Sequence, residues 1–396
     1  MSKTERKLID FFNRNISKLC IMIILAFAFL SRFMLRGFRS VDMRLYLLPW
    51  YSEIVNLGGI GALGHQIGNY GIPYQTIIAL LTYLPVAPVT AYKLVSCIFD
   101  VLLAVVCALI IKEVSDASDN TPAVITLSLV LMSPIVIMNS AAWGQCDSIY
   151  TFFCLLSLLL FLKGRSTGGM LAYGAAFAFK LQSVFLLPVI GLIYLKEKRC
   201  SIIQFLIVPL VLLVLSAGGI LQGRGFMSAF GVYSGQVGDS KGALTWNYPG
   251  LWAIFAPEEN PALDIFILPA VLIGLSFAGL FVYVLIRSTR VIEKKQWIFI
   301  SFLLVYMIVI LLPEMRERYG YMYEVLSIIV AIIDRKTIAG CILLHVITLI
   351  TYGKYLAGGT YNMRLLASLN VLLFTAYLVY FIKEYGITQK GENSPC

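Results

Sequence analysis

Two aspartates, a lysine and a pair of arginines stand where a membrane chain least favours charge. Asp42 lies in SVDMRLYLLPWY, just past the first long apolar run, and Asp147 lies in AAWGQCDSIY between two others. Lys180 and Gln182 fall in AFAFKLQS, and PEMRERYGYMYE gathers Glu314, Arg316, Glu317, Arg318, Tyr319 and Tyr321. Ionisable groups in or beside hydrocarbon persist only when paired or placed in a wet cavity, so each marks a candidate site. A carboxylate held at the membrane surface can serve as a general base, and a second acid can assist it or share a divalent cation. The planar fork of arginine matches phosphate oxygens, which makes Arg316 or Arg318 a grip for a lipid-linked phosphate. Lys180 needs an anion, either an aspartate or such a phosphate.

Each of these residues also has a plainer reading. Asp42 can be a solvated or capping loop residue, and Asp147 can cap the helix that follows it. The Glu and Arg side chains of 314–318 can form a surface network of their own. Lys93 and Asp100 lie seven apart, on one helix face, and read as a structural polar seam. His65 and His345 have no ligand-like spacing, and His345 is expected to be a buried, hydrogen-bonded side chain. No GxxxxGK[ST] or helix-opening GxGxxG is present, so any activated donor is expected to come from the membrane.

The elements that must position these groups are apolar helices. The 396 residues are 59% hydrophobic and 13% charged, with a mean hydropathy of +0.85. A soluble domain carries roughly a quarter charged residues, so a soluble enzyme, a disordered chain and a disulfide-built module are all excluded. Runs near the roughly 20 residues needed to cross hydrocarbon recur along the chain, and the alternating segments of a β-barrel are absent. The net charge of +10 comes without a basic stripe interleaved with aromatics, so nucleic acid is not an expected partner. The eight cysteines show no CxxC or His-paired spacing and read as small apolar side chains.

The expected fold is an all-α polytopic bundle of about 12 (10–13) transmembrane helices forming one domain over 1–396. Spans are expected at 17–36, 89–112, 122–140, 147–163, 168–181, 184–195, 201–221, 264–287, 297–313, 319–334, 337–352 and 363–383. The first is read as a retained span, because no signal-peptidase-like site follows it. Most of the 31 Lys and Arg then fall on the side of the tails 1–16 and 384–396, which the positive-inside rule makes cytoplasmic. The short apolar segment 72–86 is treated as re-entrant or interfacial, since counting it as a crossing would invert that asymmetry. Long outer loops at 37–88 and 222–263 place the chemistry on the extracytoplasmic face. Trp50 and Tyr51 suit a headgroup boundary, and Trp143 and Gly144 suit a tight interfacial turn.

The segments DMRLYLLPWY, GNYGIPYQTIIALL, KLVSCIFD, AAWGQCDSIYTFF, FAFKLQSVFLLP, LTWNYPGLWAIF and PEMRERYGYMYEVL resemble, in order, the bacterial relatives of the GPI mannosyltransferases. These belong to the GT-C class of polytopic glycosyltransferases, and the resemblance covers about residues 30–325. FAFKLQ also resembles a segment of the dolichyl-phosphate-glucose-dependent glucosyltransferases. The resemblance implies an inverting hexosyltransferase of the cytoplasmic membrane, using a polyprenyl-phosphate-linked sugar. Its acceptor would be a cell-wall or surface glycan or a glycolipid. It implies Asp42 as general base and Asp147 as second acid, with Lys180, Arg318 and Arg316 on the donor phosphate. Asn69, Tyr70, Gln145, Gln182, Glu317 and Tyr319 would support them. Many of the relatives read MHERY where this chain has Met315-Arg316-Glu317-Arg318-Tyr319, so the role of position 316 does not carry over directly. No cofactor is required by this reading, and a divalent metal stays open. The rival readings are a flippase for lipid-linked oligosaccharide, a glycan polymerase and a non-catalytic assembly partner.

Overall fold

A computed structural model of the chain describes residues 1–115, 119–238, 243–256 and 261–386. Lys241 and the end of the tail, with Lys390, lie outside the described residues. The described residues are helical, joined by turns and two isolated β-bridges. In chain order the helices are α1 (Lys3–Met34), α2 (Leu48–Asn56), α3 (Ile72–Leu81), α4 (Pro88–Val114), α5 (Thr121–Met132) and α6 (Pro134–Ile137). There follow α7 (Asp147–Leu162), α8 (Ser166–Phe179), α9 (Leu187–Leu192), α10 (Ile207–Leu215), α11 (Ala217–Leu221) and α12 (Ser228–Gly238). The last five are α13 (Ile267–Arg287), α14 (Lys294–Leu311), α15 (Tyr321–Ile333), α16 (Ile338–Ala357) and α17 (Met363–Tyr385).

Among the described residues, five helical segments are long and apolar enough to cross a membrane, those built on α4, α13, α14, α16 and α17. The count rises to seven if two bent pairs each form one span: α1, bent by 65° after Ile16, and α5 with Pro134–Trp143, bent by 43°. Helix length among the described residues thus accounts for five to seven of the twelve expected spans. The segments expected at 147–163, 168–181, 184–195, 201–221 and 319–334 are helical but shorter or broken. Proline breaks two of the expected spans, 122–140 at Pro134 and 184–195 at Pro188, because its ring removes a backbone donor and starts a new helix. α3 has ten residues, about 15 Å of rise, half of what a crossing needs.

A helix that is apolar all round belongs in the middle of a bundle. α14 is that helix, with 78% of its apolar window buried, and α15 packs beside it. α13 is the opposite case, with Leu268, Leu272, Leu275 and Leu280 exposed along it. Such apolar outer faces are what lipid contact requires, and they mark the chain as a membrane-embedded helical protein.

The polar seam on α4 does not join Lys93 to Asp100; both reach across to α1. Arg32 donates from Nη2 to Oδ2 of Asp100 at 2.8 Å, and Ser140 donates to the same oxygen at 2.5 Å. Lys93 Nζ donates to the carbonyls of Leu35 and Phe38, at 2.7 and 2.6 Å. The Leu35 carbonyl, which also accepts from the Phe38 amide at 3.1 Å, and that of Phe38 lie in the turn that leaves α1, and a cation at a helix C-terminus is well placed to bind them. The end of α1 is thus clamped onto α4, a few residues before Asp42.

Candidate active site

The turn that carries Asp42 is fixed by its neighbours in sequence and in space. Ser40 Oγ accepts from the Met43 amide at 3.1 Å and donates to the Trp143 carbonyl at 2.9 Å. Asp42 makes no side-chain cap, contrary to its plainer reading. Its Oδ2 accepts from Trp143 Nε1 at 2.9 Å and from Gln145 Nε2 at 2.8 Å. Arg318 Nη2 lies 3.6 Å from the same oxygen. Every contact of this carboxylate uses Oδ2, and Oδ1 has no protein partner among the described residues.

The WGQ run explains how two donors converge there. Gly144 sits at φ +79°, and a Cβ on it would lie 2.5 Å from Met43 Cε. Only glycine meets both conditions, so the chain can turn sharply between Trp143 and Gln145 while pressing against the Asp42 turn. Trp143 is buried, not interfacial; its ring lies 5.1 Å from the Arg318 guanidinium and stacks on Tyr355 at 5.5 Å. Gln145 accepts from Tyr70 Oη at 2.8 Å while donating to Asp42, so its amide orientation is set from both ends.

Asp147 opens α7, and its carboxylate does not cap that helix. It is buried, accepts from Asn139 Nδ2 at 2.8 Å and forms an ion pair with Lys180. Lys180 stands in extended backbone where α8 ends. Its anion is therefore an aspartate, and both partners are nine-tenths or more buried. Asp42 and Asp147 keep separate partners, and no three of His, Cys, Asp or Glu come together as a metal site among the described residues.

The PEMRERY segment is held by the LTWNY run. The Glu314 amide donates to the Leu244 carbonyl at 3.0 Å and the Trp246 amide to the Met315 carbonyl at 3.3 Å. Arg316 lies over the Trp246 ring at 5.2 Å. Glu317 is buried with its Oε1 3.5 Å from Arg318 Nε, and burial pushes its carboxyl above the usual glutamate range against the pull of Arg318. Arg318 pays for burial too, but the carboxylates of Asp147, Asp42 and Glu317 outweigh that and hold its guanidinium firmly charged.

These pieces enclose a pocket of about 340 Å³ lined by Asp42, Asn69, Tyr70, Gln145, Arg316 and Arg318, with Tyr46, Leu47 and Trp50. That volume lies at the lower end of small-molecule sites. Six expected residues thus meet in one cavity. Asp147, Lys180 and Glu317 are buried outside its lining. Gln182 and Tyr319 are not part of it: Gln182 is buried with Oε1 unpartnered among the described residues, and Tyr319 packs towards Phe185. Tyr51, expected at a headgroup boundary, is buried against Tyr92.

Sequence reasoning did not assign Asn139 its partner, nor Trp143 its role as donor to Asp42. A buried tryptophan whose N–H must find an acceptor was the available signal for the second. His345 is part-buried, with Nδ1 2.9 Å from the Cys341 carbonyl one helical turn back. In comparisons with known protein families and with curated proteins, the chain matches none.

Proposed function

We propose that this protein is a membrane glycosyltransferase that moves a hexose from a polyprenyl-phosphate-linked donor to a glycan or glycolipid acceptor. The observation that carries the reading is the Asp42 carboxylate, held through one oxygen by Trp143 and Gln145, in a pocket it shares with Arg316 and Arg318. A base fixed on one oxygen with the other free is suited to receive a proton. Two arginines on the same pocket are suited to a leaving phosphate.

In the proposed reaction the acceptor hydroxyl oxygen attacks the anomeric carbon as its proton passes to Oδ1 of Asp42. The bond from that carbon to the phosphate oxygen breaks, and the lipid phosphate leaves as an anion with Arg316 and Arg318 beside it. The configuration at carbon inverts, and Asp42 later returns the proton to water. Asp147 has the role of fixing Lys180, and Tyr70, Gln145 and Glu317 that of positioning the reacting groups. Burial of the isoprenoid tail among apolar helices gives a reason for such chemistry to sit in a membrane.

The reading includes the resemblance to GT-C enzymes, twelve crossings with cytoplasmic termini, and a site on the extracytoplasmic face of the cytoplasmic membrane. A helical element occupies each of the twelve segments, which supports that topology without fixing it. The connections that follow α1 and precede α7 and α15, with the residue that ends α8, supply the site residues.

The test is a deletion strain complemented with wild type or Asp42→Asn. Loss of one sugar from the surface glycan, build-up of its polyprenyl-phosphate donor and rescue by wild type alone are expected. Full rescue by Asp42→Asn, or build-up of complete lipid-linked oligosaccharide inside the cell, would overturn the reading in favour of a flippase.

A further inference from the structure

A second cavity of about 400 Å³ adjoins the first and is lined by Gln66, Gly68, Asn69, Arg224, Ser228 and Gly231. Asn69 lines both cavities, and Trp50 of the first packs its ring against Gly68 of the second, where a Cβ would clash at 2.3 Å. The two cavities therefore meet at Asn69 and at the Trp50–Gly68 contact.

Arg224 is the cation of this second cavity, and its hydrogen-bond partners among the described residues are all neutral. Nη1 donates to the His65 carbonyl at 3.1 Å and to Gln75 Oε1 at 3.3 Å, and Nη2 donates to Gln66 Oε1. A guanidinium has five N–H donors, so Nε–H and one Nη2–H are left without an acceptor among the described residues. Those unused donors leave the guanidinium able to bind an oxygen of a phosphate or carboxylate. No carboxylate pairs with Arg224 among the described residues, and partial burial alone pulls its pKa below the ordinary arginine value. Arg318 is the contrast, with three acids around it. Opposite Arg224, Gly231 and Gly235 of α12 present no side chain, and a Cβ on either would meet nothing within 4 Å. The cavity thus combines free volume with an oriented cation that no carboxylate among the described residues compensates.

We propose that Arg224 forms a second anion subsite, which takes a phosphate group carried by the acceptor. This rests on the transferase reading, in which the donor phosphate is met by Arg316 and Arg318 and the remaining cation falls to the other substrate. The source of the phosphate is either a lipid headgroup or a phosphorylated sugar.

The full chain in phosphate-free maltoside detergent would be titrated with radiolabelled inorganic phosphate. Arg224→Gln should lose one phosphate equivalent or weaken it at least tenfold. Because Arg224 also ties two loops together, Gly231→Asp gives a second reading: it adds a carboxylate to the cavity and keeps Arg224 in place. It should show the same loss, while Gly231→Asn binds as wild type. Displacement of the label by dioctanoyl phosphatidate assigns the anion to a lipid, and displacement only by a hexose 6-phosphate assigns it to a sugar. Unchanged phosphate binding in Arg224→Gln or Gly231→Asp overturns the subsite. With a lipid extract of the deletion strain as acceptor, Arg224→Gln should raise the half-saturating acceptor level several-fold and leave donor KM unchanged; the reverse pattern overturns the acceptor assignment. If wild type transfers no sugar at all, the transferase reading fails while the phosphate titration still decides the subsite.

Discussion

The indole Nε1 of Trp143 donates to Oδ2 of Asp42 at 2.9 Å, between residues 101 apart in the chain, while the face of the same ring lies 5.1 Å from the Arg318 guanidinium. One side chain thus sets the orientation of the proposed base and the position of a proposed phosphate ligand. Trp143→Phe keeps the ring and removes the N–H, leaving Oδ2 with Gln145 as its hydrogen-bond donor. A hydrogen bond to a charged group is worth about 1.5–3 kcal/mol, and each 1.4 kcal/mol on a barrier is about tenfold in rate, so kcat should fall by on the order of tenfold or more with little change in donor KM. Gln145→Ala should do the same and also free Tyr70. An unchanged kcat in both variants would remove Asp42 from the role of base.

Asp147 and Lys180 are a buried pair, and removing one member leaves the other unpaired. Asp147→Asn or Lys180→Met alone should cost about 3–5 kcal/mol in stability, and the double variant should recover part of it. Thermal unfolding in detergent provides the measurement. If the single losses simply add, the pair does not act as a unit.

Arg316 and Arg318 line the same pocket but are held differently. Arg316 leans on an aromatic ring, whereas Arg318 sits among Asp42, Glu317 and Trp143. Arg316→Gln should raise donor KM about tenfold or more with little change in melting temperature. Arg318→Gln should lower kcat as well and destabilise the protein, because it leaves buried acids uncompensated. Equal kinetic effects with unchanged donor KM would count against a phosphate grip.

Glu317 should make stability fall as pH rises. Its carboxyl is held above the ordinary glutamate range by burial, so folding binds a proton that the unfolded chain gives up more readily. The stability it contributes is complete below the unfolded value and is lost as pH climbs through the raised folded value. Relative to Glu317→Gln, wild type should melt at the same temperature in acid and progressively lower through that window. A constant difference between the two across pH would contradict the shift.

Much of the site was legible in the sequence because charge in an apolar chain is conspicuous. Asp42, Asp147, Lys180, Arg316 and Arg318 stand out wherever their neighbours are Leu, Ile and Phe, since hydrocarbon tolerates such groups only with partners. Asn69, Tyr70 and Gln145 came by resemblance alone, and they line the pocket beside Asp42. Gln182 and Tyr319 came the same way and lie elsewhere, because sequence proximity to Lys180 or Arg318 does not fix the direction of a side chain.

Composition alone determined that the chain is a helical membrane protein, because runs of apolar residues near 20 long can satisfy their backbone only as helices. Sequence also marked the break at Pro188, since proline acts through the local backbone, but not the one at Pro134 or the bend of α1 after Ile16. Which charges pair was decided only by the tertiary structure. Lys93 and Asp100 share a helix face yet both bind α1, and the anion of Lys180 is Asp147 on another helix. The same holds for Trp143 and Asp42, and for Arg224 with its neutral partners. A hydrogen bond depends on angles and on distances of about 3 Å, which are set by how whole helices pack and not by spacing along any one of them.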